Sequence, residues 1–475
     1  MSEPVHDLSR AGAVLAVALL LTACAVGPDY HAPEPEVDAA FAGQTLVETT
    51  AQEPLATWWQ GFGDPLLDQL VADALAGNHT IAIAAARLKE ARAARRESVW
   101  SSIPAPTARA SATDIRESQG GTAGFSPERD YELYDAAFDA SWELDLFGRV
   151  RRGNQAARAT LGAAHASLDD VRLSVVAEIV RNYFELRGAQ QRLTVAERNA
   201  GNQRSALELV ESRLEAGRGT ALDTARAEAQ IQTTLASVPP LEAAVVQARH
   251  RIEVLSGRRP GQLTEQLGPL APLPALPALL GMDDPVSLLR RRPDLRVAER
   301  QLAATSARIG VAMADFFPRI TLNGSIGLQA LEFGALDDPG NDFRRFGPAL
   351  SWSFLDFGRV RERVRAAGAR HEAALASYEQ AVLLALEDVE NALSTYARER
   401  RRQEHLAAAA RASVLAAELA TQRFEGGVSD FLTALDAYRT ALEAEDRLSI
   451  SQTAAATALV ALYKALGVSV PEAMP

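Results

Sequence analysis

From Tyr134 to Leu146 the chain alternates with a two-residue period. Tyr134, Ala136, Phe138, Ala140, Trp142, Leu144 and Leu146 are apolar, and Asp135, Asp139, Ser141, Glu143 and Asp145 stand between them. Such a period predicts a β-strand with one greasy face and one acidic face. It returns as Ile320, Leu322, Ile326 and Leu328 against Thr321, Asn323, Ser325 and Gln329, then as Phe346, Leu350, Trp352 and Phe354 against Ser351 and Ser353. A weaker stretch from Thr107 to Asp114 completes four strands.

Elsewhere the period is helical. Val176, Ile179, Tyr183 and Leu186 are spaced 3-4-3, the spacing of a heptad seam. Two proline-free runs rich in Ala, Leu, Glu, Arg and Gln, from about Gly148 to Leu214 and from about Gly358 to Phe424, predict helices of roughly 100 Å at 1.5 Å per residue. Rods of that length must pack side by side in an elongated bundle. Shorter returning helices follow over about Thr220–Ser256 and Ser429–Leu466. Pro239-Pro240 should kink or break the first of them. Between the long and the returning helices lie Gly217 and Gly427, fit for left-handed helix stops, with Thr220 and Ser429 as candidate caps. Each half thus ends in a helical hairpin tip.

The two halves are copies. The run Ser141 to Arg151 recurs from Ser351 to Arg361, an offset of 210 that also carries Arg213, Glu215 and Gly217 onto Arg423, Glu425 and Gly427, and Gly257 onto Gly467. The heptad seam follows the same offset to Leu386, Val389, Leu393 and Tyr396. A period this long is a domain duplication rather than a solenoid. It divides the chain into residues 1–23, an extension 24–65, a first repeat 66–257, a linker 258–284, a second repeat 285–467 and a tail 468–475.

Four strands cannot close a barrel, and open edges are not tolerated in lipid. Either two water-soluble hairpins pack on helices, or several chains share one barrel with Trp142, Trp352, Phe147 and Phe357 near an interfacial belt. The acidic strand face, if lumenal, would favour cations.

Charge and composition then narrow the function. A net charge of -12, with basic residues dispersed among acidic ones, argues against a nucleic-acid partner. The seven histidines show no metal-ligand spacing, no Gly-rich phosphate loop follows a strand, and no catalytic constellation can be assembled. No catalytic residue, cofactor or metal is therefore expected. The apolar run Ala11–Val26 is short for a membrane span of about 20 residues and suits a signal segment. It runs into Leu21-Thr22-Ala23-Cys24, which resembles a lipobox. Cleavage there would leave Cys24, the sole cysteine, as an acylated N-terminus anchored in lipid.

Several motifs in order then resemble the outer-membrane efflux protein family, in its lipoprotein branch that partners resistance-nodulation-division pumps. They are Val26-Gly27-Pro28-Asp29-Tyr30, Trp58-Trp59 with Phe62-Gly63-Asp64-Pro65, the duplicated Phe-Gly-Arg, Arg291-Arg292-Pro293-Asp294, Phe317-Pro318, and Leu462-Tyr463-Lys464-Ala465-Leu466-Gly467. The resemblance implies an α+β membrane protein, a homotrimer with a twelve-stranded transmembrane β-barrel continued by a periplasmic α-helical barrel. It implies passive export of drugs or other small toxic compounds, working with a periplasmic adaptor and an inner-membrane pump. It places Arg213, Leu214, Gly217, Arg423, Phe424 and Gly427 at the adaptor contact, and Leu432, Asp436 and Arg439 at a periplasmic aperture. Thr433 stands where some relatives carry a second acidic ring. A duct for type I protein secretion and a periplasmic coiled-coil lipoprotein are the competing expectations.

Overall fold

The computed structural model describes residues 25–468 and 470, apart from 35, 39, 48, 51–55, 117, 119–129, 278–279 and 282–283. Cys24 and the expected signal segment lie outside the described residues, as does most of the tail. The main elements are α1 (Pro65–Gly77), α2 (His79–Trp100), β1 (Ala105–Arg116), β2 (Asp130–Leu144), α3 (Arg149–Glu215), α4 (Ala221–Leu235) and α5 (Val238–Leu255). They continue as α6 (Pro285–Arg291), α7 (Pro293–Ala314), β3 (Arg319–Ala330), β4 (Asp342–Ser351), α8 (Phe357–Glu425) and α9 (Phe431–Ala465). The chain divides into two compact units, one of residues up to 34, 87–165 and 297–379, the other of 35–86, 166–296 and 380–475.

The first unit holds the sheet. Its order is β1-β2-β3-β4, every pair antiparallel, so strands from the two halves meet at the β2–β3 pairing. Phe138 sits opposite Ile326 and Trp142 opposite Leu322, which keeps the apolar positions on one face. Strand β2 ends at Leu144, two residues earlier than its alternation suggests, because Asp145 turns to the helix. Its two carboxylate oxygens accept the Val150 and Arg151 amides, each at 2.9 Å, and cap α3. The opening segment is fixed alongside. Arg152, almost fully buried, donates to the Val26 and Gly27 carbonyls at 3.1 and 3.0 Å, and Tyr30 donates to Glu299 at 2.6 Å.

The duplicated Phe-Gly-Arg motif does two different things. Gly148 has φ +82° and lies so close to Ala25 that an added Cβ would sit 2.5 Å from that residue's own. Only glycine fits there. Gly358 lies inside α8 with open space beside it. The second copy of the motif therefore belongs to a helix, and β4 stops at Ser351, short of Trp352 and Phe354.

The second unit holds the helical hairpins. Helices α3 and α8 run for 67 and 69 residues without interruption. Their seam is the core: Val176, Ile179, Tyr183 and Leu186, with Val389, Leu393 and Tyr396, are buried. Trp58 stacks on Tyr463 with ring centroids 4.9 Å apart, and Phe62 meets Phe184 edge-on at 4.9 Å. Asp64 caps α1 and accepts the Tyr183 hydroxyl. Burial and that carboxylate push the Tyr183 phenol up to about 12. The returning path of the first half breaks between Leu235 and Val238, as the double proline predicts. Pro239 occupies the first turn of α5, where an amide has no helical partner to lose. In the second half α9 runs unbroken for 35 residues.

Candidate functional site

Among the described residues no helix is long and apolar enough to cross a membrane. The sheet, by contrast, exposes its apolar face. Phe138 is 68% exposed, Ile326 61%, Phe346 79% and Leu350 65%. That is the inverse of a water-soluble hairpin, whose greasy face would lie on the helices. Leu133, Asp135 and Ala137 take the better-covered face of β2 instead. Among the described residues both outer strands, β1 and β4, pair on one side only, so each presents a free row of backbone donors and acceptors there. Trp142 and Trp352 each give their indole N–H to a backbone carbonyl, of Ser102 at 3.0 Å and Phe316 at 3.1 Å. Phe147 stacks on Phe317, and Phe357 packs edge-on to Trp352, so of the four aromatic positions singled out in the sequence only Trp352 and Phe357 meet each other among the described residues.

The opposite face is less acidic than its sequence suggests. Arg109 lies 3.0 Å from Asp135, off the hydrogen-bonding direction, and 3.6 Å from Asp139. Glu143 pairs with Arg149 and Asp145 with Arg151. The expected cation preference loses much of its basis, because arginines on the neighbouring strand β1 and in the first turn of α3 supply the missing charge.

The two hairpin tips have one geometry. Gly217 and Gly427 share φ +70°, and the Arg218 and Val428 amides bond back to the Arg213 and Arg423 carbonyls at 2.7 and 2.9 Å. These are left-handed helix stops with the long return bond of a Schellman turn. The following caps are Thr220 and Asp430, which accept the Asp223 and Thr433 amides at 3.2 and 3.0 Å. Ser429 is thus not the cap. The 210-residue offset carries Thr220 onto Asp430, and the carboxylate takes the role. Asp430 also accepts the Thr433 hydroxyl at 2.6 Å, so Thr433, the departure from the acidic ring, is occupied in the helix cap.

One tip residue does more than the sequence indicates. Arg213 donates to the carbonyls of Phe424 and Glu425 at 2.5 and 3.0 Å, and its guanidinium lies 4.1 Å from the Phe424 ring centroid. It adds a donor to the Phe424 carbonyl, which also accepts the Gly427 amide at 2.9 Å, and satisfies the Glu425 carbonyl at the end of α8, and so binds one tip to the other. Phe424 is buried there with Val210, Ala227, Ala420, Phe431 and Ala434. Arg423, Leu214 and both glycines are exposed.

Leu432, Asp436 and Arg439 form one stripe on α9, since they are spaced by four and three. Leu432 is 48% exposed. Arg439 donates to Asp436 at 2.9 Å, with both side chains more than half exposed. At that exposure the pair contributes about 0–1 kcal/mol to stability. Its two charges are held together and available.

The Arg291-Arg292-Pro293-Asp294 motif proves to be a structural knot. Arg292 is buried and donates to the carbonyls of Ala385 (3.2 Å) and Ala465 (3.0 Å), and to Asp294 (2.7 Å) and Asp388 (3.0 Å). One guanidinium thereby ties α7, α8 and α9. Its α-carbon also lies where a Cβ on Gly467 would go, at 2.9 Å, while Gly467 has φ +63°. Among the described residues no cluster of His, Cys, Asp and Glu could hold a metal.

Comparison with known proteins gives this arrangement a family. The model of the outer membrane efflux protein family matches residues 70–258 and 285–468. The chain belongs to the outer membrane efflux protein family. Its two matched segments are the duplicated halves, and its location is the cell outer membrane, as an efflux channel. Nodulation protein T of Rhizobium leguminosarum bv. trifolii is 32% identical over 461 residues, 95% of each chain. A solvent efflux pump outer membrane protein, SrpC of Pseudomonas putida, is 30% identical over 94% of this chain and 96% of its own. The solved structure of the outer-membrane channel OprN superposes with a TM-score of 0.88 at 42% identity, covering 94% of this chain and 99% of that one.

Proposed function

We propose that three copies of this chain form the outer-membrane exit duct of a tripartite efflux system, passing small toxic compounds without chemistry. The observation that carries it is the sheet: an exposed apolar face with two free edges. In lipid each unpaired backbone group costs several kcal/mol, so the edges must find partners. Three times four strands make a twelve-stranded barrel in which β1 of one copy pairs with β4 of the next. Strands of 10 to 15 residues are long enough to span when tilted. The helical hairpins then line a tunnel. Arg213, Leu214, Gly217, Arg423, Phe424 and Gly427 build the two tips that meet a periplasmic adaptor, with Phe424 buried beneath the surface they present, and a resistance-nodulation-division pump supplies cargo. Leu432, Asp436 and Arg439, an exposed stripe one turn beyond the second tip, form the closing ring. Cys24 carries the lipid.

The coarse functional class is supported by relatives named as efflux-pump outer membrane proteins. The test is the mass and the single-channel conductance of the detergent-extracted mature protein. A trimer with discrete conductance events is expected. A monomer that stays soluble without detergent and conducts nothing would overturn the duct and favour a periplasmic coiled-coil lipoprotein.

A further inference from the structure

The duplication makes a prediction about the partner of every contact between the halves. If copies of the chain surround one axis, the second half of one copy meets the first half of the next much as the first half meets the second within the chain. Each contact within the chain then has a counterpart between chains, found by exchanging partners through the offset of 210. At the tip the contact within the chain is Arg213 on the carbonyls of Phe424 and Glu425. Its counterpart is Arg423 on the carbonyls of Leu214 and Glu215.

We infer that Arg423 reaches into a second copy and caps the end of that copy's α3, so that a ring of arginines latches the hairpin tips together. This rests on the assembly of copies proposed above and adds residues to it. Three observations carry it. Arg213 is half-buried over its partner, whereas Arg423 is exposed and its guanidinium makes no hydrogen bond or ion pair among the described residues. Phe424, covered by Arg213, is only 6% exposed, but its counterpart Leu214 is 37% exposed. Leu209 packs against the core formed by the two tips, while its counterpart Leu419 is 50% exposed. In each pair the member that faces the other half within the chain is covered, and the member that would face a neighbouring copy is bare.

Charge supports the same occupant farther along the helices. Gln191 donates to Gln452 at 2.8 Å between α3 and α9. The counterparts are Arg401 and Glu242, both exposed, without partners in the described chain and of opposite charge. A neutral pair within the chain thus becomes an ion pair between copies. The copies cannot match in every detail. Gly188 approaches Thr453 so closely that no Cβ fits, and its counterpart is Arg398 facing Ala243. The helices of neighbouring copies must stand farther apart there. Arginine at 401 is longer than the glutamine it replaces and spans the extra distance.

Cross-linking distinguishes the latch from the assembly. The chain has one cysteine, Cys24, so the wild-type protein and each single variant set the background. In detergent-extracted full-length protein, R213C/E425C treated with a short bifunctional thiol reagent should give a product of monomer mass. R423C/E215C should give dimers and trimers. Native mass measured before treatment reports the assembly independently. A trimer in which R423C/E215C yields no product between chains, while R213C/E425C reacts, would overturn the latch, leave Arg423 free for the adaptor and leave the duct standing. A protein that is never trimeric would overturn both. In parallel, R401E and E242R should each lower the temperature at which the trimer dissociates, and R401E/E242R should restore it. Absence of restoration would remove the ion pair from the interface.

Discussion

Replacing Arg292 by alanine should cost the second unit about 3 kcal/mol. The figure comes from what the guanidinium leaves behind. The carbonyl of Ala465, at the buried end of α9, loses its donor, which costs about 1–3 kcal/mol, while that of Ala385, inside α8, keeps its helical bond and adds a smaller loss. Asp388 and Asp294 are 58% and 40% exposed, so water screens them and their pairing adds no more than about 1 kcal/mol. The carbonyl bonds therefore dominate. Arg292→Lys keeps the charge but not the fork, reaches one carbonyl at a time and should recover less than half the loss. Arg291→Ala, which takes away bonds to the Leu466 carbonyl at 3.2 and 3.4 Å from a half-buried side chain, should cost less than Arg292→Ala. The assay is guanidinium unfolding of the detergent-extracted protein followed by tryptophan fluorescence, to which Trp58, stacked on Tyr463 in the same unit, contributes. A loss below about 1 kcal/mol for alanine, or a lysine variant equal to wild type, would refute the view that a buried fork holds three helices.

Three further outcomes follow from the geometry. Gly148→Ala forces a side chain into a left-handed backbone against Ala25 and should destabilise by at least about 1–2 kcal/mol, while Gly358→Ala, inside α8 with open space, should stabilise by about 0.5–1 kcal/mol; thermal melts of the two compare one motif in two settings. The hydroxyl and amide of Thr433 hold the Asp430 carboxyl below its usual range. The cap's contribution is therefore present above the ordinary carboxylate value and disappears as the pH falls through the lowered one. Protection of the amides at the start of α9 from hydrogen exchange, measured against the unprotected rate at each pH, should fall as the solution is acidified below about pH 4, and Asp430→Ala should abolish that dependence. Asp436→Ala frees Arg439 and, if three copies close the duct as proposed, removes a negative ring, so single-channel conductance of the closed duct should rise; an unchanged conductance would take Asp436 out of the aperture.

Much of the fold was legible because periodicity survives in any context. The two-residue alternation of β2, β3 and β4 gave the strands, and the heptad seam from Val176 to Leu186 gave the core of the long helices, since both patterns record which face is apolar. The offset of 210 gave the repeat, and through it even the true cap at Asp430 could have been read from Thr220. Other features were not readable, because they depend on what a residue meets after folding. The two Phe-Gly-Arg motifs look alike, yet Gly148 is required by the approach of Ala25 and Gly358 by nothing. The acidic face of β2 looked like an open lumenal charge until the pairing register brought Arg109 beside Asp135 and Asp139. Arg213 and Arg423 are the same letter in the same motif. One caps a neighbouring helix within the chain and the other stands exposed. The sequence by itself determined the elements, their duplication and their greasy faces, because these are local consequences of residue order. Only the tertiary structure decided which carbonyls find a guanidinium, which carboxylates are neutralised and which apolar face remains bare, because these depend on which distant segments share a surface.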